Sequence, residues 1–321
     1  MNTILLALLI FVAVGVGLWL VSLVMEALRQ KPRPPATLRW SPDIPIRTID
    51  IGGAKLRYIK SGKGPVLILL HTLRTQLDLF EKVVPELSKR FTVYALDYPG
   101  HGYSDIPQAR YDAAFFTKAV EGFLDKLDLR DVTLAGVSIG GAIALIIAAR
   151  RNPRVARVVS INPYDYAKGR GMGRAGLFGA FVTYASLVPV VGETMMRLRN
   201  SLNAVFRGGV ADANSIPPAL LKEMYLVGNR SGHYRGFSSL LRNAESWEAA
   251  TKDYGRIEIP ILLIWGDQDW ARPVEREHDR MLIPGVEMTT VKGGGHFLPL
   301  DRPRELTEAI IRFAARSPIR A

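Results

Sequence analysis

From Ile4 to Met25 the chain runs apolar without a break, Ser22 being its one polar member. As a helix this run spans roughly 33 Å, enough to cross the hydrocarbon core of a bilayer. No Lys or Arg precedes it, and it is longer than the core of a cleaved leader. Glu26-Ala27-Leu28-Arg29 then follows, with no small-residue cleavage site. The pattern predicts one uncleaved transmembrane helix over residues 1–28. Residues 29–46 are Pro-rich and lack a helical period, as expected of a tether.

Beyond the tether the period changes. Arg47–Ile51 and Lys55–Ile59 read as a hairpin across Gly52-Gly53. Short continuous apolar runs then alternate with stretches of helical period. Strands are expected at Pro65–Leu70, Phe91–Leu96, Val132–Val137, Ala156–Ile161, Ile259–Trp265 and Val286–Val291. Helices are expected at Leu77–Lys89, Tyr111–Leu127, Ala142–Arg150, Glu275–Leu282 and Arg304–Ala314. Buried strands separated by helices predict an α/β fold, its mostly parallel sheet covered on both faces. Ligands in such folds sit beyond the C-terminal strand ends.

Residues 167–257 break the alternation. The core is therefore divided into 47–166 and 258–321, with a mostly helical cap between. The start of this insertion is Gly-rich, then apolar through Val191. It carries Lys168, Arg170, Arg174, Arg197, Arg199 and Arg207 against Glu193 alone. Such a face suits contact with an anionic bilayer, or packing on the core with its arginines solvated.

The net charge of +12 calls for an anionic partner. A membrane surface fits; nucleic acid does not, since the chain shows neither a zinc-ligand cluster nor an RNA-binding strand signature. Arg29, Lys31, Arg33 and Arg39 follow the apolar run, and the positive-inside rule then puts the domain in the cytoplasm. Single-span chains break this rule, which leaves an extracytoplasmic domain as the alternative. The absence of cysteine excludes disulfides and thiolate chemistry and says nothing of compartment. No His/Asp/Glu cluster has metal-ligand spacing, so neither metal nor other cofactor is expected.

Between the Val132–Val137 strand and the next helix lies Gly136-Val137-Ser138-Ile139-Gly140. A G-x-S-x-G in that context marks a nucleophile elbow, with the following helix aimed at charge developing beside the serine. Ser138 needs a base and an acid to orient that base. Of the five histidines, His296 follows the last strand in the flexible Gly293-Gly294-Gly295 turn. His71 lies early and reads as a loop support; His101 belongs to PGHGYSD, His233 to the cap and His278 to a surface helix. After strand PILLIW come Asp267 and Asp269; Asp269 is preferred because it leads into a helix start, and Asp267 would shape the turn.

The order Ser138, Asp269, His296, together with DYPGHGYSD, GDQDWARP and GGGHFLPLDRP, resembles the α/β-hydrolase superfamily from about Arg47 to Ala314. The resemblance implies that fold, a cap after the sixth strand, and an oxyanion hole from the Ile139 and Leu73 amides. The chain departs from the family at Thr72, where glycine is usual after His71. Arg74 and Gln76 nearby are candidates to hold an anionic or carbonyl group of a substrate, or else brace the loop. The expected function is a membrane-anchored serine hydrolase of carboxylic esters, including lipid-like small molecules. Thioesterase, amidase and C–C bond hydrolase chemistry would use the same triad. A catalytically weak binding protein at the membrane is the alternative from another class.

Overall fold

The computed structural model describes residues 3–29, 32–166, 184 and 187–315, the side chain of residue 235 excepted. Eight strands form one sheet: β1 (Ile46–Ile51), β2 (Ala54–Ser61), β3 (Val66–Leu70), β4 (Thr92–Leu96), β5 (Val132–Val137), β6 (Val155–Ile161), β7 (Ile261–Gly266) and β8 (Glu287–Val291). Their spatial order is β1-β2-β4-β3-β5-β6-β7-β8. The β1–β2 hairpin and the β2–β4 pair are antiparallel, and the other ladders are parallel. Side chains alternate between faces, so Ile68 and Leu70 join one apolar core while Leu67 and Leu69 join the other. Both faces are thus covered, and β5 and β7 are buried throughout.

Outside the sheet lie α1 (Thr3–Ala27), α2 (Val84–Leu87), α3 (Ala113–Lys126) and α4 (Ile139–Ala149). The helix expected over Leu77–Lys89 is broken into a 3-10 turn at Leu77–Phe80 and α2. The Leu77 amide is taken by the Asp97 carboxylate at 2.7 Å, and Pro85 has no N–H to continue a ladder. Among the described residues five helices fall between β6 and β7: α5 (Val191–Met196), α6 (Arg199–Gly208), α7 (Pro218–Gly228), α8 (His233–Arg242) and α9 (Glu245–Ala250). They make up the described part of the cap. Its Gly-rich opening, residues 167–183, with the bilayer contact expected there, lies outside the described residues. The chain closes with α10 (Pro273–Leu282), α11 (Leu298–Asp301) and α12 (Pro303–Ala314).

Among the described residues α1 is the one helix long and apolar enough to cross a membrane, with a mean hydropathy of 3.0 over 18 residues. Its C-terminal end rests on the cap. The Glu26 carboxylate meets Arg197 Nη2 at 2.9 Å and accepts from Thr194 Oγ1 at 3.3 Å. Arg29 Nη1 donates to Asn229 Oδ1 at 3.0 Å. The stretch read as a tether is also engaged: Leu38 is buried, Arg39 pairs with Glu81, and Trp40 Nε1 donates to Asp78 at 2.8 Å. Two large apolar side chains, Leu38 and Trp40, hold it to the core against its lack of regular structure.

Candidate active site

Ser138 stands between β5 and α4 with φ 59° and ψ −119°. Such a backbone is strained for a residue with a Cβ, costing on the order of 1–3 kcal/mol. The surrounding packing enforces it. A Cβ on Gly136 would lie 2.1 Å from Gly140 O, and one on Gly140 would lie 2.3 Å from Leu70 O. Both flanking glycines are therefore sterically required. The Ser138 amide donates to Ile161 O at 2.8 Å, and its carbonyl accepts from Ala142 and Tyr164 amides.

Two strands away, the β7 and β8 exit loops bring Asp269 and His296 together. His296 Nδ1 donates to Asp269 Oδ2 at 2.6 Å, and Asp269 Oδ1 accepts from the Ala271 amide at 2.8 Å. Both side chains are buried. Asp267 points its residue to solvent, so the two carboxylates of the loop are told apart by burial and partner. With a proton on Nδ1 shared with Asp269, the Nε2 of His296 faces away from that carboxylate. That buried Nε2 has no hydrogen-bond partner, and Ser138 Oγ is not bonded to it. Tyr164 spans the gap, its amide on Ser138 O and its ring centroid 6.4 Å from that of His296.

Three supports of this rim were not legible in the sequence. Asn162, just past β6, accepts from the Gly266 amide at 2.8 Å and donates to Gly295 O and His296 O, each at 3.0 Å. One amide thus ties the exits of β6, β7 and β8. Trp270 lies flat on the His296 imidazole, centroids 4.0 Å apart and planes 19° off parallel. Asp301 accepts from the Gly295 and Ala211 amides, each at 2.8 Å, fixing the histidine loop to the cap.

The other wall is the loop after β3. Gly140 packs against Leu70 O and His71 O, which sets this loop across the start of α4. Among the described residues neither the Leu73 nor the Ile139 amide meets an acceptor. Thr72 is not at positive φ, so its branched side chain carries no left-handed strain. Its carbonyl accepts from His71 Nδ1 at 2.7 Å and from Thr75 Oγ1 at 2.8 Å. His71 Nε2 in turn accepts from the Tyr98 amide at 3.3 Å. Burial holds its pKa well below the usual histidine value, with His101 adding to the effect. His71 is thereby committed to the loop.

Arg74 and Gln76 part company. Arg74 reaches the cap, where Nη2 donates to Met196 O at 2.8 Å. Gln76 Nε2 donates to Asp78 Oδ2 at 2.6 Å, inside a buried cluster where Arg57 pairs with Asp78 at 2.8 Å and Asp97 at 3.5 Å. Burial raises the Asp97 pKa, with Arg57 opposing it. The DYPGHGYSD motif closes this cluster: Asp97 accepts from the Tyr103 amide at 2.9 Å and Ser104 Oγ donates to Asp97 O at 2.6 Å.

Comparison with known proteins agrees with this architecture. The family model for the alpha/beta hydrolase fold matches residues 65–303. An uncharacterized protein of Mycobacterium tuberculosis is 27% identical over 85% of this chain and 81% of its own. The carboxylesterase YbfK of Bacillus subtilis is 24% identical over 81% of this chain and 84% of its own. The crystal structure of Cfl2 from Burkholderia cenocepacia superposes with a TM-score of 0.77 at 22% identity, covering 88% of this chain and 99% of that one. A strained serine between β5 and α4, a paired acid and histidine beyond β7 and β8, and a family match over most of the chain lead to one statement: this protein belongs to the α/β-hydrolase family.

Proposed function

We propose that this chain is a serine hydrolase that cleaves carboxylic esters and is held at a membrane by α1. Ser138 Oγ attacks the acyl carbonyl while His296 Nε2 takes its proton. Asp269 fixes the imidazole tautomer and balances the imidazolium charge. The Ile139 and Leu73 amides stabilise the oxyanion, helped by the positive end of the α4 dipole. Water activated by the same histidine then releases the acid. Gln76, bonded to Asp78, braces the loop in this reading.

The observation that carries the proposal is the buried 2.6 Å His296–Asp269 contact with Nε2 left free, at the sheet edge from which Ser138 projects. An unfilled serine–histidine bond is compatible with this role, because such bonds often tighten only around substrate. Thr72 gives no support to a damaged oxyanion loop, since it imposes no positive φ there. A serine nucleophile also separates this site from the aspartate-nucleophile chemistry of the same superfamily.

A fluorophosphonate probe tests the reading. It is expected to label the wild-type chain and not Ser138→Ala, and Ser138→Ala is expected to lose on the order of a million-fold in kcat on a soluble ester. A folded wild-type protein that takes no label overturns it. We place the catalytic domain on the cytoplasmic side; a reporter fused after Ala321 that reads extracytoplasmic reverses that orientation.

A further inference from the structure

Between the Leu73 loop and the cap lies a knot of basic side chains. The Arg74 guanidinium sits over the rings of Tyr234 and Phe237, 5.4 and 5.5 Å from their centroids, and approaches Tyr234 Oη at 3.4 Å. Arg74 is 7% exposed, and its Nε and Nη1 are buried with no hydrogen-bond partner. His233 is 4% exposed, and its Nδ1 is likewise unpartnered, as is Nε2 of neighbouring buried His101.

One of the other described cations of this knot has an acid in contact. Arg197, stacked on the same Tyr234, has Glu26. Arg230 donates to Gly102 O, with Asp97 and Asp105 acting on it from a distance. Arg74 pairs with no described acid, and the stretches outside the described residues contain no Asp or Glu. His233 reports the same imbalance. Its pKa is held well below the ordinary value first by burial, then by His101, Arg230, Arg197 and Arg74, every one of them a base.

Backbone geometry adds an independent observation. Arg74 has φ 59°, a left-handed conformation that glycine would adopt without strain. The chain keeps there a long charged side chain that it then buries, against both strain and desolvation. A buried guanidinium with idle N–H bonds and no acid beside it is matched by an anion that accepts from one of its free nitrogens.

We infer that Arg74 and His233 form a subsite for an anionic group of the ligand, a carboxylate or a phosphate, beside the loop that offers the Leu73 amide. Arg74 Nη1 donates to one of its oxygens, and His233 lies beside it. Calling the ligand a substrate rests on the hydrolase reading of Ser138; the anion site itself does not.

The test uses the full chain in neutral detergent and two matched ester pairs. One pair is 4-nitrophenyl hemiglutarate against 4-nitrophenyl valerate; the other is lysophosphatidic acid against a monoacylglycerol of the same chain. Wild type is expected to favour the anionic member of one pair by about tenfold to a hundredfold in kcat/KM. Which pair responds distinguishes a soluble carboxylate ester from a phospholipid. Arg74→Met is expected to bring that ratio to about one, Arg74→Lys to restore part of it, and His233→Gln to lower it less. Separately, glutarate or glycerol 3-phosphate is expected to raise the thermal midpoint of Ser138→Ala and not of Ser138→Ala/Arg74→Met. No charge preference in either pair, or a preference that survives Arg74→Met, overturns the subsite. Stabilisation by the anion without hydrolysis of any ester keeps the subsite and removes the hydrolase reading.

Discussion

The two walls of the candidate site handle buried charge in opposite ways. On the β7–β8 side, Asp269 meets both His296 and an amide, and the loops around them are closed by Asn162 and Asp301. On the cap side, Arg74 and His233 keep buried nitrogens without partners, and Arg197 depends on a carboxylate more than a hundred residues away in α1. The first wall is complete within the α/β core. The second is assembled from three separate segments and still holds an uncompensated charge. Low dielectric sharpens both conditions, since it strengthens a satisfied pair and penalises an open one. A closed wall suits chemistry that is the same for every substrate; an open wall suits discrimination among substrates.

Breaking the closed wall is expected to have the largest effect. Asp269→Asn offers His296 the wrong partner and should lower kcat on the order of ten-thousandfold with little change in fold, read by steady-state kinetics beside a thermal melt. A loss below tenfold would assign the orientation of His296 to some other group, with Trp270 the first to examine. On the cap side, Glu26→Gln leaves the buried Arg197 without its acid. We expect a loss of about 2–3 kcal/mol in cap stability, discounted because Glu26 is partly exposed, and seen as faster limited proteolysis within residues 187–250. Glu26→Gln/Arg197→Met should recover most of that loss; a double variant as weak as the single one would show that no pairing energy was at stake.

The smallest effect sharpens the comparison through pH. His233, His71 and His101 are all held neutral by burial, His101 with a pKa pushed down to about 4. A folded pKa below the unfolded value means that the unfolded chain binds protons first. Their contribution is therefore intact above about pH 6.5 and falls as pH drops below it, by at most about 1.4 kcal/mol per pH unit for each histidine. Unfolding measured from pH 7.5 to 5.5 should show this slope, and His233→Gln should flatten it by one histidine's share. An unchanged slope would mean that His233 gains its proton without resistance from the bases around it.

Much of the fold was readable because the physics was local. Strand and helix periods, the glycines around Ser138 and the turn residues before Asp269 and His296 each constrain their own neighbourhood, and the structure has these elements within a few residues of the expected bounds. Pairing of Asp269 with His296 was readable as loop chemistry at the strand ends. What the sequence left hidden depends on distant contact. The break within Leu77–Lys89 is the exception, since Pro85 was there to be read and supplies no N–H for a continuous ladder. The engagement of Gln76 by Asp78, the stacking of Trp270 and the bracing by Asn162 have no periodic signature. The grip of Arg197 on Glu26 links segments whose separation no pattern encodes.

That grip has a practical consequence. Trimming the chain before Pro32 to obtain an easily handled enzyme removes the acid that answers Arg197 along with the greasy rod that carries it. The excised domain keeps Ser138, Asp269 and His296, but Arg29 leaves together with Glu26, so the net charge beside Arg197 stays the same while its ion pair is lost. Substrate preferences measured on it would describe a cap whose buried arginine has lost its anchor, and need not be those of the whole molecule.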